Sequence, residues 1–92
     1  MKIAIIEMIS NRPIKCYDNG GKSFDRYTVI YLDEIENRDK RLFAARAMSA
    51  SPFNAQGFGQ YTSAMVGSHL GKRIAFAELP KDCQKLVLKD LE

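Results

Sequence analysis

Residues 25–33, Asp-Arg-Tyr-Thr-Val-Ile-Tyr-Leu-Asp, constrain the fold more than any other stretch of this 92-residue chain. Successive side chains of a strand point to opposite faces. Tyr27, Val29 and Tyr31 therefore share one face, and Thr28, Ile30 and Leu32 share the other. Both faces are largely apolar, so the strand has to be central and covered on each side. Its partner lies just upstream. Residues 14–18 alternate apolar and polar, and Asn19-Gly20-Gly21 supplies residues that tolerate positive φ, which is hairpin chemistry. Downstream, residues 42–48 (LFAARAM) carry good helix formers, yet Phe43, Ala45 and Ala47 alternate. The short charged connector before them and the Ser49-Ala50-Ser51-Pro52 stop favour a strand returning antiparallel to 25–33.

The remaining segments are weaker signals. Residues 2–9 are β-branched and apolar and read as a strand, with a short helix the alternative, ended by Asn11-Arg12-Pro13. The mixed-sign run 33–41 reads as an exposed loop or short helical excursion, and 51–61 as an irregular loop with aromatic residues. A short helical turn is expected over 62–70, ending at Gly71, and an extended piece over 72–76. After Pro80, which suits a first helical turn, Leu79, Cys83, Leu86, Val87 and Leu91 form one apolar stripe at helical spacing. Together these predict a single α+β domain over residues 1–92: an antiparallel sheet of three or more strands packed by a C-terminal helix.

Several function classes lack their residues. No stretch approaches the roughly 20 apolar residues of a membrane helix. Glu7 cuts the N-terminal apolar run too short for a secretory leader, so the chain reads as cytoplasmic. Cys16 and Cys83 are far apart in apolar contexts and read as free thiols. With His69 the single histidine and no Cys-x-x-Cys, a structural metal site has no ligand set. Gly21-Lys22-Ser23 resembles the tail of a phosphate-binding loop, but Cys16 stands where that motif needs glycine, and a strand follows where it needs a helix. Neither a Cys–His pair nor a carboxylate pair has visible supporting groups. The sequence therefore predicts no enzyme, no cofactor, no metal and no small-molecule substrate.

Binding chemistry is better represented. The formal net charge is +3, a mild lean towards polyanions. Lys81, Lys85 and Lys89 repeat every four residues and would line one helical face beside the apolar stripe. Lys72-Arg73, and Arg38 with Lys40 and Arg41, add two more basic points. Phe53, Phe58 and Tyr61 admit two readings: stacking on bases or filling pockets of a partner, or plugging the open end of a small core.

Three blocks carry a resemblance: Tyr17-Asp18-Asn19-Gly20-Gly21-Lys22-Ser23-Phe24-Asp25-Arg26-Tyr27-Thr28-Val29, Ser51-Pro52-Phe53-Asn54-Ala55-Gln56-Gly57-Phe58-Gly59-Gln60, and Leu70-Gly71-Lys72-Arg73-Ile74-Ala75-Phe76-Ala77-Glu78-Leu79-Pro80. As a set they resemble a family of small phage and prophage proteins, and the chain is similar to anti-CRISPR inhibitors of the type I-F system. The resemblance implies a non-catalytic inhibitor in the cytoplasm of a bacterial host cell. It would bind proteins of the crRNA-guided surveillance complex, with the crRNA a second candidate contact, and block target-DNA binding. The alternative is a phage accessory or regulatory protein that binds nucleic acid directly. The resemblance assigns no contact residues, so the partner-binding candidates are the ten chosen on chemistry: Lys81, Lys85, Lys89, Arg38, Lys40, Arg41, Lys72, Arg73, Phe53 and Phe58. The oligomeric state stays open.

Overall fold

A computed structural model describes residues 6–92. In chain order it contains β1 (Glu7–Ile9), β2 (Arg12–Asp18), β3 (Tyr27–Asn37), β4 (Leu42–Met48), β5 (Gly59–Met65), a 3₁₀ turn (Ser68–Leu70), β6 (Lys72–Ile74), a second 3₁₀ turn (Phe76–Glu78) and helix α1 (Lys81–Asp90). The strands form one antiparallel sheet in the order β1-β2-β3-β4-β5, and β6 pairs with β2 as well. β1 and β6 share the outer edge of β2, β1 against Arg12–Ile14 and β6 against Cys16–Asp18. This is the predicted α+β architecture, with the helix packed on the sheet.

The β2–β3 hairpin turns where the glycines are: Gly20 and Gly21 adopt φ of 77° and 87°. Residues Tyr27–Tyr31 are buried on both faces, as their composition requires. On one face, Ile14, Cys16, Val29, Tyr31, Ala44 and Met48 pack against Cys83, Val87 and Leu91 of the helical stripe. On the other, Tyr17, Ile30 and Ala45 form a smaller cluster that receives Leu32, Phe43, Ala64, Val66 and Leu70. The segment after β5 has to reach β6 at the opposite edge of the sheet. It crosses the face away from α1, and Val66 and Leu70 cover that cluster as it does so.

Four local expectations are corrected. Pro13 is paired opposite Met8 within β2, because the turn falls at Ser10-Asn11, both of which adopt positive φ. Residues 33–37 continue β3 through two register shifts: their charges mark an exposed ribbon whose main chain still pairs with Leu42 and Phe43. Residues 59–61 belong to β5 and so do 62–65, leaving a 3₁₀ turn at 68–70 as the only helical part of 62–70. Backbone pairing with β4 decides there, since an edge strand exposing one face tolerates glycine, serine and alanine that propensity would place elsewhere. Of the strand expected over 2–9, Glu7–Ile9 is observed, and residues 1–5 lie outside the described residues. Glu7 does more than interrupt an apolar run: its carboxylate accepts the Phe76 N–H at 2.8 Å, tying β1 to the turn that precedes α1.

A polar clamp fixes α1 to the sheet. Asp90, in the last turn, accepts hydrogen bonds from Tyr31 Oη (2.5 Å) and Arg46 Nε (2.8 Å), and it pairs with Arg46 Nη2. Burial, then the hydrogen bond to Asp90, pushes the Tyr31 hydroxyl far above its ordinary range, so it stays a donor. Arg12 extends the clamp, contacting Asp33 and Glu34 at 2.8 Å each and the Asp90 carbonyl at 3.4 Å.

Met48 is fully buried between sheet and helix. Met48→Ala is expected to lower unfolding free energy by about 2–5 kcal/mol, whereas Lys85→Ala, on the exposed helix face, should change it by less than about 0.5 kcal/mol; urea denaturation measures both. The hydrogen bond from Arg12 holds the Asp33 carboxyl below its usual range. A depressed carboxylate adds stability above its unfolded pKa of about 4 and loses it as pH falls through the folded value. Asp33→Asn should therefore flatten the stability–pH curve below about pH 4 while leaving its slope near neutrality unchanged.

Candidate partner-binding surface

The antiparallel pairings place the β2–β3 loop (residues 19–26) and the β4–β5 loop (residues 49–58) at one end of the sheet, and the β3–β4 turn (residues 38–41) at the other. The two loops are held by their own polar groups. Asn19 Oδ1 accepts the N–H groups of Gly21 (2.8 Å) and Lys22 (3.0 Å), and Asp18 Oδ1 accepts from Gly20 N (2.8 Å) and Arg26 Nε (2.7 Å). That hydrogen bond from Arg26 holds the Asp18 carboxyl below its ordinary range, with Lys72 a smaller contributor. In the second loop Ser49 and Phe58 exchange two hydrogen bonds, one through the Ser49 hydroxyl, and Asn54 Oδ1 accepts from Gln56 N at 2.9 Å.

Between these loops the surface is open and partly apolar. Phe24 is 65% exposed, with its ring edge-on to Phe58 at 6.4 Å. It stands between two shallow depressions of about 330 and 460 Å³ that share Phe24, Ser49 and Ala50 in their walls. Lys22 and Arg26 line the larger one. Phe53, in the β4–β5 loop, is 55% exposed. Phe53 and Tyr61 (46% exposed) therefore do not plug the core, and Phe58 is half-buried. Tyr61 stacks on Tyr31 at 6.2 Å, with the Arg46 guanidinium 5.0 Å from its ring.

Helix α1 begins beside this loop end, where the Cys83 thiol donates to the Ser49 carbonyl at 3.2 Å. Gly59 permits the approach: a Cβ there would lie 2.8 Å from Leu86 Cδ2 and 3.2 Å from Pro52 Cβ. Lys81, Lys85 and Lys89 are all exposed along the outer face of α1 and make no ion pair among the described residues. The row starts next to the loop carrying Phe53 and Phe58. Lys72 is opposite Asp18 and so lies at this end too, with Arg73 next to it opposite Tyr17. Arg38, Lys40 and Arg41 are exposed on the turn at the opposite end. The ten candidates thus divide into Phe53, Phe58, Lys72 and Arg73 at the loop end, the lysine row that runs from there along α1, and a distant basic turn. Phe24, Lys22 and Arg26 were missed by sequence reasoning. The usable signal was an aromatic residue inside an otherwise polar hairpin loop.

The two cysteines are free and buried. Burial pushes the Cys16 thiol up to about 12 and the Cys83 thiol up to about 11. His69 is exposed on the 3₁₀ turn after β5. No group of three or more metal-binding side chains gathers among the described residues, and none of their helices is long and apolar enough to cross a membrane. Compared with protein-family models, curated proteins and solved structures, the chain matches none.

Thiolate, not thiol, is the reactive form. Both cysteines should therefore resist alkylation by iodoacetamide at pH 8 in the folded protein and react together once urea unfolds it. Mass spectrometry of the adducts reads this directly, and prompt modification of either in native protein would contradict their burial.

Proposed function

We propose that the protein acts without catalysis, as a stoichiometric inhibitor in the cytoplasm of a phage-infected cell, binding the type I-F crRNA-guided surveillance complex and blocking its capture of target DNA. The target rests on the sequence resemblance. The chemistry rests chiefly on one observation: three lysines, all exposed and without ion pairs among the described residues, in a row along the outer face of α1. At 1.5 Å rise per residue the row is about 12 Å long. It can meet successive phosphates or carboxylates, gaining both encounter rate and charge-assisted hydrogen bonds.

The loop end supplies a different kind of contact. Phe24 and Phe53 are large, exposed and carried on loops fixed by internal hydrogen bonds, so little ordering entropy opposes their burial against a partner. Lys22 beside Phe24 adds positive charge to the same wall, where Arg26 is paired with Asp18. A protein–RNA assembly offers partners for both groups: phosphates and acidic side chains for the lysines, bases or apolar pockets for the rings. Direct binding of nucleic acid by the lysine row is the second reading. Salt separates the two, since each neutralised phosphate contributes roughly one log unit of affinity per log unit of salt.

Purified protein mixed with the assembled complex is expected to abolish target-DNA binding at saturation. Changing Lys81, Lys85 and Lys89 together to glutamate should weaken inhibition at least tenfold while leaving the circular-dichroism spectrum intact. Restoring Lys85 alone should recover part of the loss. DNA capture that proceeds unchanged at saturating protein would refute the target. Inhibition indifferent to the charge reversal would move the contact face to the Phe24 end.

A further inference from the structure

The sheet protects its two edges unequally. The outer edge of β2 is covered by β1 and β6, each three residues long. At the other edge β5 runs for seven residues, Gly-Gln-Tyr-Thr-Ser-Ala-Met, and among the described residues no strand pairs with its outer side. Proteins usually blunt such an edge with charge, proline, a bulge or a short strand. β5 has no charged residue and no proline, and its register with β4 is unbroken from Gly59 to Met65.

The direction of its free hydrogen-bonding groups follows from the ladder. Ser49 N donates to Phe58 O at 2.7 Å, which makes 49 and 58 a hydrogen-bonded pair. Such pairs alternate along an antiparallel ladder, so Gln60, Thr62 and Ala64 direct their backbone groups to β4. Gly59, Tyr61, Ser63 and Met65 turn theirs to the open edge, where the Gly59 carbonyl also accepts a long hydrogen bond from Arg46 Nη1 at 3.4 Å. A second copy of β5, antiparallel and centred on Thr62, brings these outward residues into hydrogen-bonded pairs: Gly59 with Met65 and Tyr61 with Ser63, each occurring twice.

The side chains fit that register as well. On the helix face each large residue meets a small one, Met65 against Gly59 and Tyr61 against Ser63. On the opposite face Gln60 meets Ala64, and Thr62 meets itself. No charge faces a like charge, which a self-pairing strand of ordinary composition rarely avoids. Tyr61 and Met65 are 46% and 50% exposed, and both would gain a neighbour.

We propose that the edge of β5 is a self-association surface, through which two copies of the chain join their sheets antiparallel about Thr62. This goes beyond the inhibitor reading and does not depend on it. A single strand pair covers less than the roughly 1,200 Å² of a stable interface, so the association is expected to be weak and concentration-dependent.

Sedimentation equilibrium of the full chain, up to about 1 mM, should show a monomer–dimer equilibrium. Ser63→Pro removes one outward N–H without touching the β4 ladder, and should leave the protein monomeric with an unchanged urea midpoint. Thr62→Cys tests the register even if the proline variant fails to fold. At the centre of the pairing its two copies fall on a non-hydrogen-bonded pair with Cα atoms about 4.5 Å apart, within disulfide reach. Mild oxidation should link the Thr62→Cys chains into a covalent dimer and leave Gln60→Cys unlinked, since its copies lie four positions out of register. A wild-type chain monomeric throughout that range, with no crosslinking of Thr62→Cys, would overturn the proposal and leave the edge to an extended segment of another protein. A dimer that persists in folded Ser63→Pro and does not crosslink through Thr62→Cys would overturn it equally.

Discussion

The burial of β3 on both faces is what the remaining elements are arranged around. Tyr27, Val29 and Tyr31 look one way and Thr28 and Ile30 the other, and all are buried, so each face needs its own cover. The ten-residue helix supplies one cover through Cys83, Val87 and Leu91. Among the described residues there is no second α-helix to give the other face. The chain instead sends the connection from β5 to β6 across that face, where Val66 and Leu70 close over Tyr17, Ile30 and Ala45. This route explains the topology. A strand that has to end on the far edge of β2 becomes β6, and the 3₁₀ turn after it brings the chain to the start of α1.

Apolar burial alone would let so short a helix slide or rotate, because hydrophobic contact is non-directional. The Asp90 clamp removes that freedom. A carboxylate in the last turn of a helix opposes the helix dipole, and here it is held by the Arg46 guanidinium and the Tyr31 hydroxyl. Arg46 is itself packed over Tyr61, and Tyr61 reaches Glu34 at 3.3 Å, so the helix end is joined to β2, β3, β4 and β5 through one connected polar set. With Asp90 directed at the sheet and Cys83 and Val87 in the core, Lys81, Lys85 and Lys89 have to face solvent. The lysine row is a consequence of the clamp as much as of its own spacing.

What the sequence discloses follows from how local each signal is. The Asn19-Gly20-Gly21 turn, the doubly apolar strand and the helical stripe are each decided within a dozen residues, and each is found where it was expected. β5 is legible only through β4. Gly59, Ser63 and Ala64 have no strand preference of their own, and their conformation is set by a ladder to Met48, Ala44 and Phe43 on the far side of a loop. The extension of β3 to Asn37 is hidden for the same reason, its charges suggesting a loop while its main chain pairs with β4. At the candidate surface, basic spacing marks the lysine row. Phe24 carries only the signal of an aromatic residue in a polar hairpin loop, and its exposure depends on where two separate loops meet.

The two proposed surfaces are geometrically compatible. In the β5 pairing, Tyr61 and Ser63 of opposite copies lie on the same face of the joined sheet, which is the face that carries α1. Both helices therefore stand on one side, and their lysine rows, being on the outer surface of each helix, point the same way. A pair of three-lysine rows on one surface can engage a long polyanionic partner at two points. The second engagement is then intramolecular and governed by an effective concentration rather than by free protein. The weak pairing expected of a single strand edge suits this arrangement, because the partner itself would bring two copies together. Affinity for the partner and strength of pairing then rise together: each copy bound raises the local concentration of the next β5 edge, and each pairing raises that of the next lysine row.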